Sequence, residues 1–304
     1  MQKILDSGEF ILITALLFGA FFPIISKLGF NTIPPIYSAA YASLIAGIVF
    51  FSTLIARKEL KTFQTCRAWK DILLSTLMIG VCLYGFLFYG ISKTTAGNAS
   101  VLALFEVFFS YIILSIIIKS EPLIKHHIIG AVLMVIGAGI ILAPNITGSF
   151  SAGDFIIILA YVFAPLGNRY AKNALHEVSP VFLMTIRSFV SGIFLLALAN
   201  LIETHPERHQ FFEGAIYLLI NGILILGFSK ILWLEALKRL PITKASSISV
   251  IVPAFTLFFA WIILDEVPTL WQITGLIPIA IGVSLIMKKT TPMTHLNKNS
   301  AHPL

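Results

Sequence analysis

Residues 153–172, with the sequence GDFIIILAYVFAPLGNRYAK, decide the fold because they repeat residues 8–27, GEFILITALLFGAFFPIISK, after a shift of 145 positions. The polar end of 153–172 makes it a weak membrane span by itself, but its partner is plainly hydrophobic, and the match favours a helix for both. The same register runs through the chain without a gap, which indicates a duplicated structural unit. It pairs Gly8 with Gly153, Phe10 with Phe155, Lys27 with Lys172, Pro35 with Pro180, Gly47 with Gly192, Lys93 with Lys238, Glu121 with Glu266, Gly130 with Gly275 and Gly137 with Gly282.

The composition is that of a membrane protein. Of the 304 residues, 58% are hydrophobic and only 12% are charged, and the mean hydropathy is +0.94. Soluble domains carry about 25% charged residues, so the chain is predicted to cross a membrane several times. The net charge of +7 would suggest a nucleic-acid partner in a soluble protein, but in a membrane protein the location of the basic residues matters instead. The two cysteines offer no disulfide framework.

Apolar runs bounded by charge, Pro, Gly or Asn predict five spans in each half. Because five is odd, the two copies must be inverted relative to one another, as in many transporters that build two gates around one site. The predicted fold is therefore an all-α polytopic membrane protein with ten transmembrane helices in two inverted five-helix repeats. The repeats occupy 1–145 and 146–290, a disordered cytoplasmic tail follows at 291–304, and the spans are 9–29, 35–56, 71–92, 97–118, 124–143, 153–172, 178–201, 213–235, 243–264 and 268–287.

The basic residues test this count independently. With the N-terminus inside, the cytoplasmic segments hold sixteen Lys and Arg residues, whereas the outside connections hold only Lys27, Lys93 and Arg208. Cytoplasmic loops of membrane proteins carry such an excess, so both termini are predicted to be cytoplasmic in the inner (plasma) membrane of a bacterium. A cleaved signal peptide over the first span is the alternative; the repeat and the lack of a small-x-small cleavage site argue against it.

A longer set of residues resembles a known signature, that of the EamA domain in the drug/metabolite transporter superfamily. This resemblance implies a solute carrier that works by alternating access without an ATPase subunit, with a central cavity lined by helices 1, 3, 4, 6, 8 and 9. One departure is Phe108, which occupies the usual proline position of helix 4. The residues that carry the resemblance are Ala245-Ser246-Ser247, Val252-Pro253-Ala254-Phe255, Leu264-Asp265-Glu266, Gly275 and Gly282, with Ala99-Ser100, Phe108, Glu121, Gly130 and Gly137 in the first half.

Charges that break the repeat are the best candidates for a binding site. An ionised side chain near a helix centre costs roughly 3 kcal/mol, so each should face water or another charge. Glu106 is predicted to be a protonatable substrate or proton site; a structural Glu106–Arg187 pair and a carboxyl bonded to the helix backbone are the alternatives. Lys230 is predicted to bind a carboxylate or phosphate, with snorkelling to the interface as the alternative. Under the shift, Glu106 pairs with Ile251, Arg187 with Ala42 and Lys230 with Gly85.

Uncharged residues complete the predicted site. Tyr and Trp side chains on the proposed cavity helices would stack on an aromatic or cationic solute, although packing alone also explains them. Prolines inside spans free backbone carbonyls and are predicted to act as hinges, except Pro278, which is interpreted as a packing kink. The substrate-binding candidates besides the three charges are Tyr84, Tyr89, Asn98, Tyr161, Asn168 and Trp233, and the hinge candidates are Pro23, Pro165 and Pro253.

The predicted function is secondary transport of a small polar or amphipathic metabolite, with proton coupling through Glu106 as a further hypothesis. Amino acids and related compounds are the commonest substrates that the resemblance implies. Neither a catalytic Ser/His/Asp set nor a metal motif is found in the sequence, and His126-His127 lacks zinc-site spacing, so no enzyme, cofactor or metal is expected. An intramembrane enzyme and a non-transporting scaffold are the alternatives. The partners expected are the substrate and the bilayer, and the protein is predicted to be a monomer or homodimer.

Overall fold

The computed structural model describes residues 8–119, 125–148, 151–249 and 251–287, and every regular element in these ranges is helical. The predicted tail at 291–304 and Glu121 of the repeat lie outside the described residues. We number the helices α1 Gly8–Gly29, α2 Pro35–Ala56, α3 Trp69–Ser92, α4 Ala96–Ile117, α5 Lys125–Gly148, α6 Ala152–Ala174, α7 Pro180–Ile202, α8 Arg208–Arg239, α9 Ile242–Leu264 and α10 Leu270–Met287.

Seven helices in the described ranges, namely α1–α4 and α7–α9, are long and apolar enough to cross a membrane. The apolar parts of α5 and α10 are shorter, at Ile128–Ile141 and Leu270–Gly282. Many large apolar side chains on these helices are exposed, such as Ile193 at 61% and Phe258 at 52%. A surface of this kind fits lipid, so the chain is a multi-pass membrane protein. The count of ten crossings stays a prediction.

Two helices are interrupted where the sequence contains proline. In α1, residues Gly8–Gly19 and Phe22–Gly29 are separate pieces, and Pro23 lies in the first turn of the second piece, where its missing N–H costs no helical hydrogen bond. In α9, Ile242–Ile248 and Ile251–Leu264 are separate. The Val252 amide donates to the Ser249 carbonyl at 3.0 Å, which satisfies the carbonyl that Pro253 leaves free. Helices α6 and α10, in contrast, continue through Pro165 and Pro278.

Helix α4 is interrupted without a proline. Its pieces are Ala96–Leu102 and Phe105–Ser110, followed by a π-helical end at Tyr111–Ile117. Around the break the amides bond three residues back, as Val107 does to the Leu104 carbonyl at 3.0 Å, which tightens the turn. Phe108 therefore takes the usual proline position in a helix that changes direction nearby, at the place that the 145-residue shift relates to the break in α9.

Helices α3 and α8 each contain a π-helical segment, Thr76–Leu83 and Ile220–Ser229. A π turn bonds i to i+5 and is rare outside functional sites. The 145-residue shift places Thr76–Leu83 on 221–228, so the two wide segments occupy corresponding positions of the repeat. Tyr84 and Lys230 directly follow them.

Helices α2 and α7 pack against each other through contacts that the shift exchanges. A Cβ added to Gly47 would lie 3.2 Å from the Phe189 ring, and one added to Gly192 would lie 2.8 Å from the Leu44 side chain. Moving each residue by 145 positions turns one pair into the other. The repeat therefore relates contacts as well as sequence.

Helices α5 and α10 behave in the same way, at closer range. A Cβ on Gly137 would lie 2.5 Å from the Gly275 carbonyl oxygen, and one on Gly282 would lie 2.5 Å from the Gly130 carbonyl oxygen. Shifting the first pair by 145 positions gives the second. Since no side chain fits, glycine lets the two backbones touch.

Carboxylates tie helix ends to the opposite half of the chain. Glu266, between α9 and α10, accepts a hydrogen bond from the Lys27 ammonium at 2.9 Å and from the amides of Ala96 and Gly97 at 3.2 Å each. These amides open α4, where unpaired N–H groups favour an anion. On α8, the Lys238 ammonium lies 3.6 Å from the Glu235 carboxylate.

Candidate functional site

A cavity of about 140 Å³ lies between the two halves of the chain, which is enough for several waters or a small solute. Helices α1, α3, α4, α6, α8 and α9, the six that the resemblance implies, all contribute to its wall, and α7 adds Arg187. Most of the wall is apolar. Its polar residues are Tyr84, Ser100, Glu106, Tyr161, Asn168, Arg187, Ser229, Lys230, Trp233, Ser246 and Ser249.

Glu106 is the centre of a hydrogen-bond network in this cavity. Its Oε1 accepts from Asn168 Nδ2 of α6 at 3.2 Å and from Ser246 Oγ of α9 at 3.1 Å. Trp233 Nε1 of α8 in turn donates to Asn168 Oδ1 at 3.3 Å. The carboxyl of the first half is therefore held by three helices of the second half. Its Oε2 has no hydrogen-bond partner in the described part of the chain and remains open to a ligand.

The break in α4 lies next to Glu106. The Glu106 amide bonds the Ala103 carbonyl at 3.0 Å, three residues back. Residues on both sides of the break, from Ala99 and Ser100 to Glu106 and Val107, line the cavity, so the face of α4 that meets the cavity continues across the break.

Lys230 lies on the cavity wall directly after the π segment of α8. Within the described residues its ammonium has neither a hydrogen bond nor an ion pair shorter than 4 Å. The nearest acid along α8, Glu235, bonds Lys238 instead. The side chain thus borders the cavity, and its role in binding stays a prediction.

Arg187 is buried, with 4% of its surface exposed, and its guanidinium donates to Ser75 Oγ of α3 and to Met184 Sδ of α7. Its Nε has no hydrogen-bond partner among the residues that the structure describes. The alternative of a Glu106–Arg187 ion pair is wrong, because no carboxylate of the described residues lies within 4 Å of Arg187. The hydrogen-bond acceptors of the buried guanidinium in this part of the chain, Ser75 and Met184, are both uncharged.

The structure brings most of the predicted site residues together. Eight of them, Tyr84, Glu106, Tyr161, Asn168, Arg187, Lys230, Trp233 and the hinge candidate Pro23, line the cavity. Four do not. Pro165 and Pro253 are buried outside its wall, Asn98 is buried against Gln272 of α10 with a hydrogen bond of 3.2 Å, and Tyr89 is 39% exposed beneath the Lys93 ammonium. The binding and hinge roles of all twelve residues stay predictions.

Sequence reasoning missed Ser246 as a site residue. Ser246 bonds Glu106 and lies 3.5 Å from Ser110 Oγ. The signal was available, because the 145-residue shift pairs Ser246 with Val101, a polar residue against an apolar one in the same scaffold position.

In the part of the chain that the structure describes, no group of three His, Cys, Asp or Glu residues is placed to hold a metal ion.

Comparison with known proteins gives the family. The model of the EamA-like transporter family matches residues 6–143 and again 151–288. An uncharacterized transporter, YoaV, of Bacillus subtilis is 25% identical over 84% of this chain and 88% of its own length. An uncharacterized transporter of Methanothermobacter thermautotrophicus is 28% identical over 89% of this chain and 83% of its own.

A solved crystal structure superposes with a TM-score of 0.73 at 14% sequence identity and covers 92% of this chain and 96% of that one. At this identity the likeness shows the fold alone. Both halves of the chain match one family model, and together these matches span most of its length. The chain therefore belongs to the EamA-like transporter family.

Proposed function

We propose that this protein is a secondary transporter that moves a small polar or amphipathic metabolite, such as an amino acid or a related compound, across the inner membrane by alternating access. The membership of a transporter family supports transport in general. A cavity with an apolar wall and a few convergent polar groups is the usual form of a small-molecule site. The cavity lies between the halves, where transporters of inverted-repeat design bind their substrates.

The network around Glu106 carries this proposal. Glu106 belongs to the first half, whereas Asn168, Trp233 and Ser246 belong to the second. Any movement of one half against the other must lengthen or exchange the two hydrogen bonds that Glu106 accepts from Asn168 and Ser246. A substrate that bonds Glu106 would therefore bias which arrangement of the halves is populated.

The exchanged contacts support two inverted repeats, 1–145 and 146–290, as the moving units. Because the α2–α7 and α5–α10 contacts map onto themselves under the shift, swapping the conformations of the two halves would regenerate the same packing with the opposite gate open. The interruptions of α1 and α9 beside Pro23 and Pro253 support these positions as hinges. Helix α6 is continuous at Pro165, so its bending would have to come from the free Tyr161 carbonyl.

Counterflow in proteoliposomes tests transport directly. Purified protein is reconstituted with an unlabelled solute inside, and entry of the labelled solute is followed against empty liposomes. Saturable exchange of a chemically unchanged solute is expected. Exchange no faster than in empty liposomes across a broad metabolite panel would instead favour a scaffold, and chemical conversion of the solute would favour an enzyme.

Proton coupling through Glu106 makes a separate prediction. The variant Glu106→Gln keeps a hydrogen-bond acceptor for Asn168 and Ser246 but cannot exchange a proton, so it should transport without the pH dependence of the wild type. Glu235→Gln, an acid on α8 outside the cavity, is the matched control and should retain the wild-type profile. Identical pH profiles for Glu106→Gln and wild type would remove Glu106 from the coupling role.

A further inference from the structure

The charges on the cavity wall do not balance. Among the residues that line it, Lys230 and Arg187 are basic and Glu106 alone is acidic. An arginine side chain remains protonated in proteins. With Lys230 protonated as well, the wall has one positive charge in excess when Glu106 is ionised and two when Glu106 is protonated. The sign of the excess is therefore independent of the state of Glu106.

No carboxylate of the described residues lies within 4 Å of either cation. Among these residues the Arg187 guanidinium donates to the neutral Ser75 and Met184, and the Lys230 ammonium has neither a hydrogen bond nor an ion pair. The hydrogen bonds of Glu106 come from Asn168 and Ser246, so its Oε1 is already used. An uncompensated charge at membrane depth costs several kcal/mol, and residues that pay such a cost usually mark a substrate path.

The repeat shows that the scaffold does not require these cations. The position that corresponds to Arg187 is Ala42 and the position that corresponds to Lys230 is Gly85. Both partners lie on helices that pack well without a charge, since Ala42 is buried on α2 and Gly85 lies on α3. The second half thus has two cations where the corresponding positions of the first half are uncharged.

We propose that the substrate is an organic anion with a net charge of −1, bound with its anionic group toward Lys230 and Arg187 and its apolar or aromatic body against the remaining wall. This inference rests on the proposed transport function and narrows it. A zwitterion such as a neutral amino acid leaves the positive excess in place, whereas a monoanion cancels it when Glu106 is ionised. Leu83, Leu87, Tyr161 and Trp233 supply the apolar and aromatic wall for the body.

Sets of ligands that share one apolar body and differ in their charged groups test this inference. For phenylalanine, the set is 3-phenylpropionate, phenylalanine, phenethylamine and 3-phenylpropanol, with net charges of −1, 0, +1 and 0. A matching set is built on leucine, and glutamate with glutamine gives a pair of the same shape. Thermal shift of the purified full-length protein reports binding, and counterflow in proteoliposomes reports transport of whatever binds.

Variants assign the charges to residues. Lys230→Gln should weaken binding of the anionic members by about tenfold or more, because one attractive charge is lost. Glu106→Gln should strengthen it by a similar factor, because a repulsive charge is lost. Arg187→Lys keeps the charge at a site where truncation endangers folding, and it should retain binding. Lys70→Gln, an exposed lysine of α3, is the control and should leave affinity unchanged.

The possible outcomes separate the two proposals. Preferential binding and exchange of the anionic members support both. Preference for a zwitterion or a cation, weaker anion binding in Glu106→Gln, or no binding by any member to folded protein overturns the charge inference. Binding of an anion without counterflow contradicts the transport proposal and leaves the charge inference standing.

Discussion

Glu203 shows how one residue links two helices in this protein. It lies just beyond α7, yet its two carboxylate oxygens accept from the amides of Ile36 and Tyr37 at 2.9 Å each. These amides open α2, where the unpaired N–H groups and the helix dipole favour a negative charge. Burial nevertheless raises the pKa of Glu203 above its ordinary value, and the two backbone hydrogen bonds oppose that rise.

The sign of this pKa change predicts a pH-dependent stability. Because the folded state holds the Glu203 proton more tightly than the unfolded chain, its contribution is fully present below the ordinary glutamate pKa and is lost as the pH rises through the raised value. The melting temperature of the wild type minus that of Glu203→Gln should therefore fall with increasing pH across this window. Thermal melts of both proteins at matched pH values measure it; a difference that rises or stays flat contradicts the expectation.

At the residue scale, the sequence identified the charges of the site but not their partners. Glu106, Arg187 and Lys230 stand out because an ionised residue inside an apolar run is costly, and all three line one cavity. Serine in a membrane helix costs little, so the sequence marked Ser246 only by its pairing with the apolar Val101 under the shift. Tyr89, predicted from its place on a cavity helix, does not line the cavity. It follows Tyr84 by five residues, which turns it by about 140° on a helix.

Among the helices, α5 and α10 form the tightest backbone contact. Gly137 faces the Gly275 carbonyl oxygen at a distance that excludes any side chain, and a Cβ there would also meet Ile279 and Pro278 at 2.6 and 3.1 Å. None of these neighbours is a flexible chain end that can move aside. The two helices must separate if either glycine is replaced.

The prediction is that Gly137→Ala destabilises the protein by about 1–3 kcal/mol, the usual cost of overpacking. Gly139→Ala is a control on the same helix, because a Cβ there meets no atom within 4 Å and alanine favours the helix. Thermal melts in detergent compare both with the wild type. Equal stability of the two variants would show that the α5–α10 contact is loose in the membrane protein as purified.

At the element scale, the sequence predicted the bounds of the helices well, but not the break in α4 or the π-helical segments within helices. Apolar runs and their polar limits predicted the elements, and they differ from the observed helices by a few residues at most ends. The break in α4 was not predictable, because Val101-Leu102-Ala103-Leu104-Phe105 contains no glycine or proline. The π segments were equally hidden, since a locally wide turn leaves no mark in an apolar sequence.

For the whole molecule, the orientation in the membrane is the property that rests most on sequence. The duplicated register and the unequal distribution of basic residues predict the N-terminus inside. The exchanged glycine contacts fit two inverted halves but do not tell one side of the membrane from the other. The positions of the basic residues along the chain indicate the side, because these charges act when the protein is inserted into the membrane. They have little effect on how the helices pack.

Cysteine accessibility tests this orientation. In a background of Cys66→Ser and Cys82→Ser, the exposed positions Lys93 and Lys61 are replaced one at a time by cysteine. Lys93→Cys should react with a membrane-impermeant maleimide in intact cells, and Lys61→Cys should react only after permeabilisation. The reverse pattern would invert the molecule, and labelling of both in intact cells would mean that a crossing between them is missing.

The π segments of α3 and α8 have a mechanical consequence. Each residue of an α-helix turns it by about 100° and advances it by about 1.5 Å, and a π segment is wound less tightly than that. If such a segment changed its winding by one residue, the part of the helix after it would rotate by about 100° and move by about 1.5 Å along the axis. Tyr84 and Lys230 stand at the first position after each segment, so one step would rotate them off the cavity wall while the helix axis stays in place.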